Sequence, residues 1–577
     1  MPYQVGYWID CLVRFWNAIV WASALPRMAC WTLILTFEPP VRAAIITPRL
    51  KGMMGLGTLF KDAFRDSTLR SPQLAALRRR LRLVYDSRYT WGLLLALGVA
   101  RVVIFLLAYP PARGADATDY FLYAAQFEGL KAPIVFDLIY PLYPLLMYVT
   151  HYVLGSIYWL IGLQLVMSAV QGVMFYWAIR PYSPALAFGV ALMVLGDAQT
   201  GILYGFTSTE PAYMFLLNLS FCVSLIQLKR PSSRWLQAGD VALGVLLVLT
   251  LLMRPVGRYL IVPFGLLFLM GTRSWRRSAV VAASYGMALA AAVLFNQVVF
   301  DRLELNGGGT FMLNRPLVAS GLLHVDNGPA SARLVAMRAA CPANSNPTRC
   351  LIEQTGSWPT VRKLYSDAYR EMLQTHGVEF ARKVVAAFTD FLKLPGQQYS
   401  GPVTPSAVQC ADVEATTDRN VTAYLEQDWL LLDAPDVTAE KLRPIVSDFN
   451  HATCPPWPDN ATVRRAVDWV AMRYRSLSRP HPYVWYTELG LVVLLIPWAR
   501  RYLFPVLIAG AILANHAAIS AMVLNVQPRY TAVVNAYKGF LLLTLLFIVG
   551  LFLLRVVDTL LARTAPPPHG QTPEDRS

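Results

Sequence analysis

Residues Gly114 to Gly155 read GADATDYFLYAAQFEGLKAPIVFDLIYPLYPLLMYVTHYVLG and set two carboxylates, Asp116 and Asp119, in a short polar gap between long apolar runs. The run before the gap, Trp91 to Tyr109, is closed by Pro110-Pro111, because proline cannot continue a helical hydrogen-bond ladder. Charged side chains near the level of a bilayer are costly, so their presence there points to function. A plainer reading competes with it: acidic residues suit the first turn of a helix, where backbone N–H groups lack partners. After the gap, Tyr120 to Leu130 has helical spacing suited to an interface. Tyr140-Pro141-Leu142-Tyr143-Pro144 then opens an apolar run to Leu154, and Ser156 to Ile179 forms another.

The rest of the chain fits that frame. Its 577 residues are 55% hydrophobic and 15% charged, with a mean hydropathy of +0.42, the balance of a polytopic membrane protein. The net charge of +16 comes mostly from short basic clusters between apolar runs. That is the positive-inside pattern of cytoplasmic loops, with attraction to membrane lipid. No basic groove with interleaved aromatics appears, so no nucleic-acid partner is expected.

Residues 1–90 carry 13 Lys plus Arg against 5 Asp plus Glu, hence +8 of the +16. Their apolar stretch, Phe15 to Phe37, is interrupted by Pro26 and Arg27, and no small-residue cleavage site follows it. A basic cytoplasmic or interfacial segment is expected. Arg78-Arg79-Arg80-Leu81-Arg82 then anchors the first crossing on the cytoplasmic side, which puts the Asp116 loop outside.

Later clusters at Lys229 to Arg234, Arg273 to Arg277, Arg500-Arg501 and Arg555 to Arg563 alternate with polar tips. The predicted spans lie near 91–109, 156–179, 183–200, 208–228, 236–253, 257–271, 278–298, 485–499, 502–523 and 536–561. Residues 140–154 are expected to be re-entrant or interfacial. The fold class is therefore mostly α, a membrane bundle of about 10–11 spans. A transmembrane core over 91–298, with its first outside loop at 110–140, precedes an extracytoplasmic domain at 299–484. Membrane helices at 485–562 and a disordered tail at 563–577 complete it.

Four of the seven cysteines, Cys341, Cys350, Cys410 and Cys454, lie in the large polar region. An even count in an oxidising compartment suggests two disulfides, and short loops close most easily, which favours Cys341 with Cys350 and Cys410 with Cys454. Ser357-Trp358-Pro359 opens a helix there, with Val361, Leu364, Tyr365, Ala368 and Met372 on one face. Asn420-Val421-Thr422 and Asn460-Ala461-Thr462 are sequons of no special weight.

Ordinary catalytic signatures are lacking. The seven histidines are scattered without metal-ligand spacing, His516 within an apolar span reads as a packing residue, and no G-x-S-x-G elbow occurs. Gly307-Gly308-Gly309 lacks a phosphate loop's lysine and reads as a turn. What remains is one face carrying Asp116, Asp119, Asp197, Glu210, Arg254, Arg258 and Arg529. A carboxylate can take a proton from a hydroxyl, and arginines can neutralise a phosphate through forked hydrogen bonds. Such a set fits group transfer from a lipid phosphate and equally fits substrate or ion translocation, as in a transporter or polysaccharide export component. No inverted pair of interrupted spans favours the transporter. A sensor or scaffold would not need ten spans.

Several short stretches together resemble a known family. Asp116, Tyr120, Ala124, Gly129 and the proline-rich run at 140–144 follow the first outside loop of the GT-C glycosyltransferases that use polyprenyl-phosphate sugars. That class includes protein O-mannosyltransferases and lipid A aminoarabinose transferases. Thr209-Glu210-Pro211, Arg254-Pro255-Val256-Gly257 and Arg529-Tyr530 resemble its further motifs in order. Ala117 stands where the family often has Glu or Ser, and no prolines follow Tyr530.

The resemblance implies an inverting sugar transfer on the outer face of the cytoplasmic membrane, with Asp116 as general base in preference to Asp119. Tyr120, Lys131, Glu210, Arg254, Arg258, Arg529 and Tyr530 would bind substrate, with a polyprenyl-phosphate sugar as donor and a glycan, lipid or protein hydroxyl as acceptor. No resident cofactor or metal ligand set is legible, although aspartates beside a phosphate could recruit a divalent ion.

Overall fold

A computed structural model describes residues 82–109, 111–113, 117–128, 140–230, 238–300, 316–342, 347–393, 412–427, 438–454, 460–477, 497–524 and 528–564. The expectations for residues 1–81, Gly307 to Gly309, Cys410, most of the 485–499 span and the tail from 565 fall outside the described residues. The chain divides into a body, Arg78–Val549, and a second unit of Met1–Leu77 with Gly550–Ser577. Of that second unit, the described part is the end of the last helix.

In chain order the elements are α1 (Thr90–Ala108), β1 (Ala112–Arg113), α2 (Ala117–Phe127), α3 (Leu142–Tyr148) with a π turn (Val149–Val153), α4 (Tyr158–Ile179), α5 (Pro184–Gly196), α6 (Ala198–Leu203) and β2 (Phe206–Thr207). Then come α7 (Thr209–Lys229), α8 (Ala238–Met253), a 3-10 turn (Pro255–Tyr259), α9 (Ile261–Thr272) and α10 (Trp275–Phe300). The polar region contributes α11 (Pro329–Ala339), α12 (Pro347–Thr355), α13 (Trp358–Lys393), α14 (Val413–Gln427), α15 (Ala439–Thr453) and α16 (Ala461–Leu477). The chain closes with α17 (Leu503–Met522), α18 (Pro528–Ala532) and α19 (Asn535–Thr564).

Among the described residues, seven helices are long and apolar enough to cross a membrane. Two expected spans, α5 and α8, have only 13 and 16 residues. At 1.5 Å per residue they are about 20 and 24 Å long, short of a ~30 Å hydrocarbon core. Residues 142–153, expected not to span, form α3 and its π turn, too short a run for a crossing.

The outer surface of the bundle is apolar where that of a water-soluble protein would be polar. On α1, Leu97, Val103, Ile104 and Leu107 are exposed while Leu94, Gly98, Arg101 and Ala108 are buried. That orientation suits lipid contact. A Cβ at Gly98 would overlap the backbone carbonyl of Ala169 on α4, so glycine permits the close helix crossing. Exposed Trp91, Trp177 and Trp275 stand where α1 begins, α4 ends and α10 begins, and exposed Trp159 marks the opposite end of α4. Tryptophan at such levels is typical of the two membrane–water boundaries.

One end of the bundle is tied by charge. Arg277 of α10 donates two hydrogen bonds of 2.8 Å to the Asp240 carboxylate at the start of α8, and one of 3.0 Å to the Gln227 carbonyl near the end of α7. Tyr182, just after α4, donates to the Leu225 carbonyl at the same level. At the start of α4 the Tyr158 hydroxyl donates to the Cys454 carbonyl at 2.5 Å, which joins that end of the bundle to the polar region. There α13 carries Val361, Tyr365, Ala368 and Met372 into a core with Leu317, Leu322, Leu334 and Leu351. The sequence's helical face is thus the buried one, and α13 continues past a kink at His376 to Lys393.

A disulfide joins Cys341 to Cys350 beside this core. Cys454 is also disulfide-bonded, and Cys410, its expected partner, lies outside the described residues. Asn460 of the second sequon serves as a helix cap, its Oδ1 accepting from the backbone N–H groups of Thr462 and Val463.

Candidate active site

Two residues of backbone pairing bring the first loop to the head of α7. β1 runs parallel to β2, with Ala112 opposite Phe206 and Arg113 opposite Thr207. Three residues beyond β2 stands Glu210, and four residues beyond β1 begins α2, which carries Asp119 in its first turn. The Tyr120 hydroxyl lies 3.5 Å from Thr209 Oγ1, and the Tyr120 ring meets Tyr143 edge-on at 5.3 Å between centroids. Gln164 of α4 donates to the Ser208 carbonyl at 3.2 Å and to the Tyr143 hydroxyl at 3.5 Å, fixing the start of α7 against α3.

Arg254 enters from the end of α8. Its Nη1 lies 2.9 Å from Glu210 Oε1, with both side chains largely buried. The guanidinium carbon is 6.0 Å from the Tyr213 ring centroid and 5.3 Å from that of Tyr530. Three segments far apart in sequence therefore share one cation. Gly257 explains part of this placement: a Cβ there would come within 2.9 Å of the Leu251 nitrogen and the Thr250 carbonyl oxygen. Only glycine lets the 3-10 turn fold back onto the end of α8. Asn515 of α17 holds the same turn by donating to the Val256 carbonyl at 3.0 Å.

A buried pair supports the far side. His516 Nδ1–H donates to the Ile512 carbonyl at 2.8 Å, which leaves Nε2 to accept from the Tyr213 hydroxyl, also at 2.8 Å. The packing role read for His516 in the sequence thus has its partners. No sequence motif assigns Tyr213 a partner. Its position one helical turn after Glu210 was the available signal, since residues three apart share a face.

Arg258 is different from Arg254. It is exposed at the end of the 3-10 turn and has no hydrogen-bond or ion-pair partner among the described residues. Burial pushes the Tyr140 hydroxyl above its ordinary value, and the positive charge of Arg258 nearby pulls it back in part. Asp197, placed by the sequence on the same face, is buried, and its backbone carbonyl accepts from Arg101 of α1 at 2.6 Å. Asp116, Lys131 and the Arg529 side chain lie outside the described residues. What is described brings together Tyr120, Thr209, Glu210, Arg254 and Tyr530, with Asp119 next to Tyr120 in the first turn of α2 and Arg258 four residues after Arg254. Among the described residues no group of three or more His, Cys, Asp or Glu side chains is placed to hold a metal ion.

The class these features define is a multi-pass helical membrane protein whose polar motifs meet at one end of the bundle. No family model and no curated protein matches the sequence. Among solved structures the chain is similar to ArnT from Cupriavidus metallidurans bound to undecaprenyl phosphate, at 15% identity and a TM-score of 0.31 over 78% of each chain. The apo state of that protein gives 13% identity and a TM-score of 0.30 over 78% of this chain and 77% of that one. Archaeal oligosaccharyltransferase AglB from Archaeoglobus fulgidus, in complex with an inhibitory peptide and a dolichol-phosphate, gives 12% and 0.32. That match covers 72% of this chain and 59% of the other.

Proposed function

We propose that the protein is an integral membrane glycosyltransferase that moves a sugar from a polyprenyl-phosphate donor to an acceptor hydroxyl. The observation that carries the reading is the meeting of four motif-like stretches at one end of the bundle: Tyr120 on Thr209, Glu210 on Arg254, and Arg254 against Tyr530. These are the stretches whose order in the sequence resembles the GT-C enzymes. The ArnT and AglB structures named above hold undecaprenyl phosphate and a dolichol-phosphate, lipid carriers of the kind the proposed transfer would release.

In this reading Asp116 removes the acceptor hydroxyl proton as that oxygen attacks the anomeric carbon from the face opposite the phosphate. The bond from the anomeric carbon to the phosphate oxygen breaks, inverting the centre, and polyprenyl phosphate leaves with the electron pair. Its charge is stabilised by Arg529 together with Arg258 or Lys131, cations fixed before the charge develops. Glu210 orients the site through Arg254 and does not act as a second base. The reaction takes place on the extracytoplasmic face of the cytoplasmic membrane, with residues 299–484 above it as the module nearest the acceptor.

Membranes containing the protein, supplied with a radiolabelled polyprenyl-phosphate sugar, are expected to transfer label to an endogenous acceptor. The rival reading as a transporter or export component predicts solute uptake by sealed vesicles and no such transfer. Uptake without transfer rejects the enzyme.

A further inference from the structure

Helix α16 is 17 residues long, about 26 Å, and its four arginines, Arg464, Arg465, Arg473 and Arg475, against Asp468 give it a net charge of +3. It is too polar to cross a bilayer. Its first two turns meet α1 at the last turn and cap of that span. The Asn460 N–H donates to the Leu107 carbonyl, Val463 and Val467 pack with Phe105, Ala108 and Tyr109, Arg464 lies over the Tyr109 ring, and Asp468 accepts from the Tyr109 hydroxyl. Roughly 12 Å of α16 therefore touches about 6 Å of α1. Ile202 of α6 packs against the same cluster, so α16 is seated on the end of α1 and on α6 together.

The other face of α16 points away from that contact. Thr462, Arg465, Ala466 and Trp469 follow at helical spacing and are exposed, Trp469 by 57%. On the last turns of α1, Leu107 and Ile104 are exposed at 49% and 47%, as lipid-facing residues are. An indole and a guanidinium at the level where a span ends suit the headgroup layer, where one end of each side chain is apolar and the other wet.

We propose that α16 is a membrane-surface helix whose Arg465 and Trp469 face seats on the headgroups of anionic phospholipid, at the site's end of the bundle. The Arg465 charge supplies attraction to acidic headgroups and the Trp469 indole the apolar contact, since the helix's valines are already packed against α1. Its attachment to α1 then fixes the height of the polar region above the bilayer. The proposal does not depend on the reaction proposed above.

The test uses the full chain in nanodiscs of phosphatidylglycerol or of phosphatidylcholine, with Trp469→p-benzoylphenylalanine for photo-crosslinking and mass analysis. The same replacement at Leu107 reports insertion. Lipid adducts are expected from both positions, with the yield at 469 about fivefold higher in phosphatidylglycerol and that preference lost in Arg465→Glu. Adducts at 107 should not depend on the headgroup. Adducts at 469 confined to protein segments, or an equal yield in the two lipids, would overturn the proposal, whatever the sugar-transfer assay returns.

Discussion

Arg254 Nη1 sits 2.9 Å from Glu210 Oε1 while the rings of Tyr213 and Tyr530 flank its guanidinium. A cation held in this way is committed to a carboxylate and two rings, which makes it a tie between α8, α7 and α18. Removing one member of a buried ion pair leaves the other uncompensated, a loss of about 3–5 kcal/mol. Glu210→Gln and Arg254→Met are each expected to lower the thermal midpoint strongly in detergent. The double variant should lose less than the two losses combined, by about 1–3 kcal/mol. Simple additivity would mean the pair contributes no coupling.

Asp116 and Asp119 flank the start of α2 and are separated by function in the proposed reaction. Loss of a general base lowers a rate by roughly 10²–10⁴-fold. Asp116→Asn should therefore abolish measurable transfer in membranes at normal protein level, while Asp119→Asn keeps a readable fraction. Full activity in Asp116→Asn would reject the assignment of the base.

Arg258 is exposed where Arg254 is enclosed, so its charge is available to a ligand. Arg258→Ala is expected to raise KM for the polyprenyl-phosphate donor about tenfold, the scale of one charge-assisted hydrogen bond. Arg258→Lys should recover part of that, since it keeps the charge and loses the fork. An unchanged donor KM in Arg258→Ala would remove the residue from the site.

Much of this architecture could be read from hydropathy and charge clusters, because a bilayer forces apolar runs of known length. The starts and ends of α1, α4, α7, α10, α17 and α19 follow the basic clusters and prolines closely. The helical face of α13 was legible for the same reason: its apolar positions recur at the helical period. The division of labour between Arg254 and Arg258 was not. Both are arginines on one turn, and only packing decides which finds a carboxylate. The pairing of β1 with β2 was also invisible, since two residues carry no alternation to detect. Arg277 read as one of a basic cluster, yet it is buried against Asp240, a partner 37 positions away that no local pattern indicates.

The Cys341 to Cys350 bridge closes a loop with a sequence separation of 9. Loop-closure entropy for so short a ring gives about 2.5 kcal/mol of stabilisation. Cys341→Ser with Cys350→Ser should destabilise the core around Leu334, Leu351 and Tyr365 by that order. The check is faster hydrogen exchange in α11 and α12 with little change in α4 or α7. Uniform acceleration over the whole chain would show that this core has no separate stability.

Glu371 of α13 caps the start of α11, its carboxylate accepting from the N–H groups of Ser331 at 2.7 Å and Ala330 at 3.0 Å. Burial alone pushes the carboxyl up, but these two backbone bonds and the Ser331 side chain outweigh it and leave it below the ordinary value of 4.5. A carboxyl depressed in the folded state adds stability that is fully present above its unfolded value and is lost as pH falls through the folded one. At neutral pH the cap is therefore intact, and Glu371→Gln should loosen α11 by about 1 kcal/mol. That difference should shrink as pH drops below 4.5 and vanish once the wild-type carboxyl is protonated. Hydrogen exchange over 329–339, corrected for the intrinsic rate and compared between the two proteins at each pH, reads it directly. A difference that stays constant from pH 7 to about 3 would show that shape, not charge, is what Glu371 supplies.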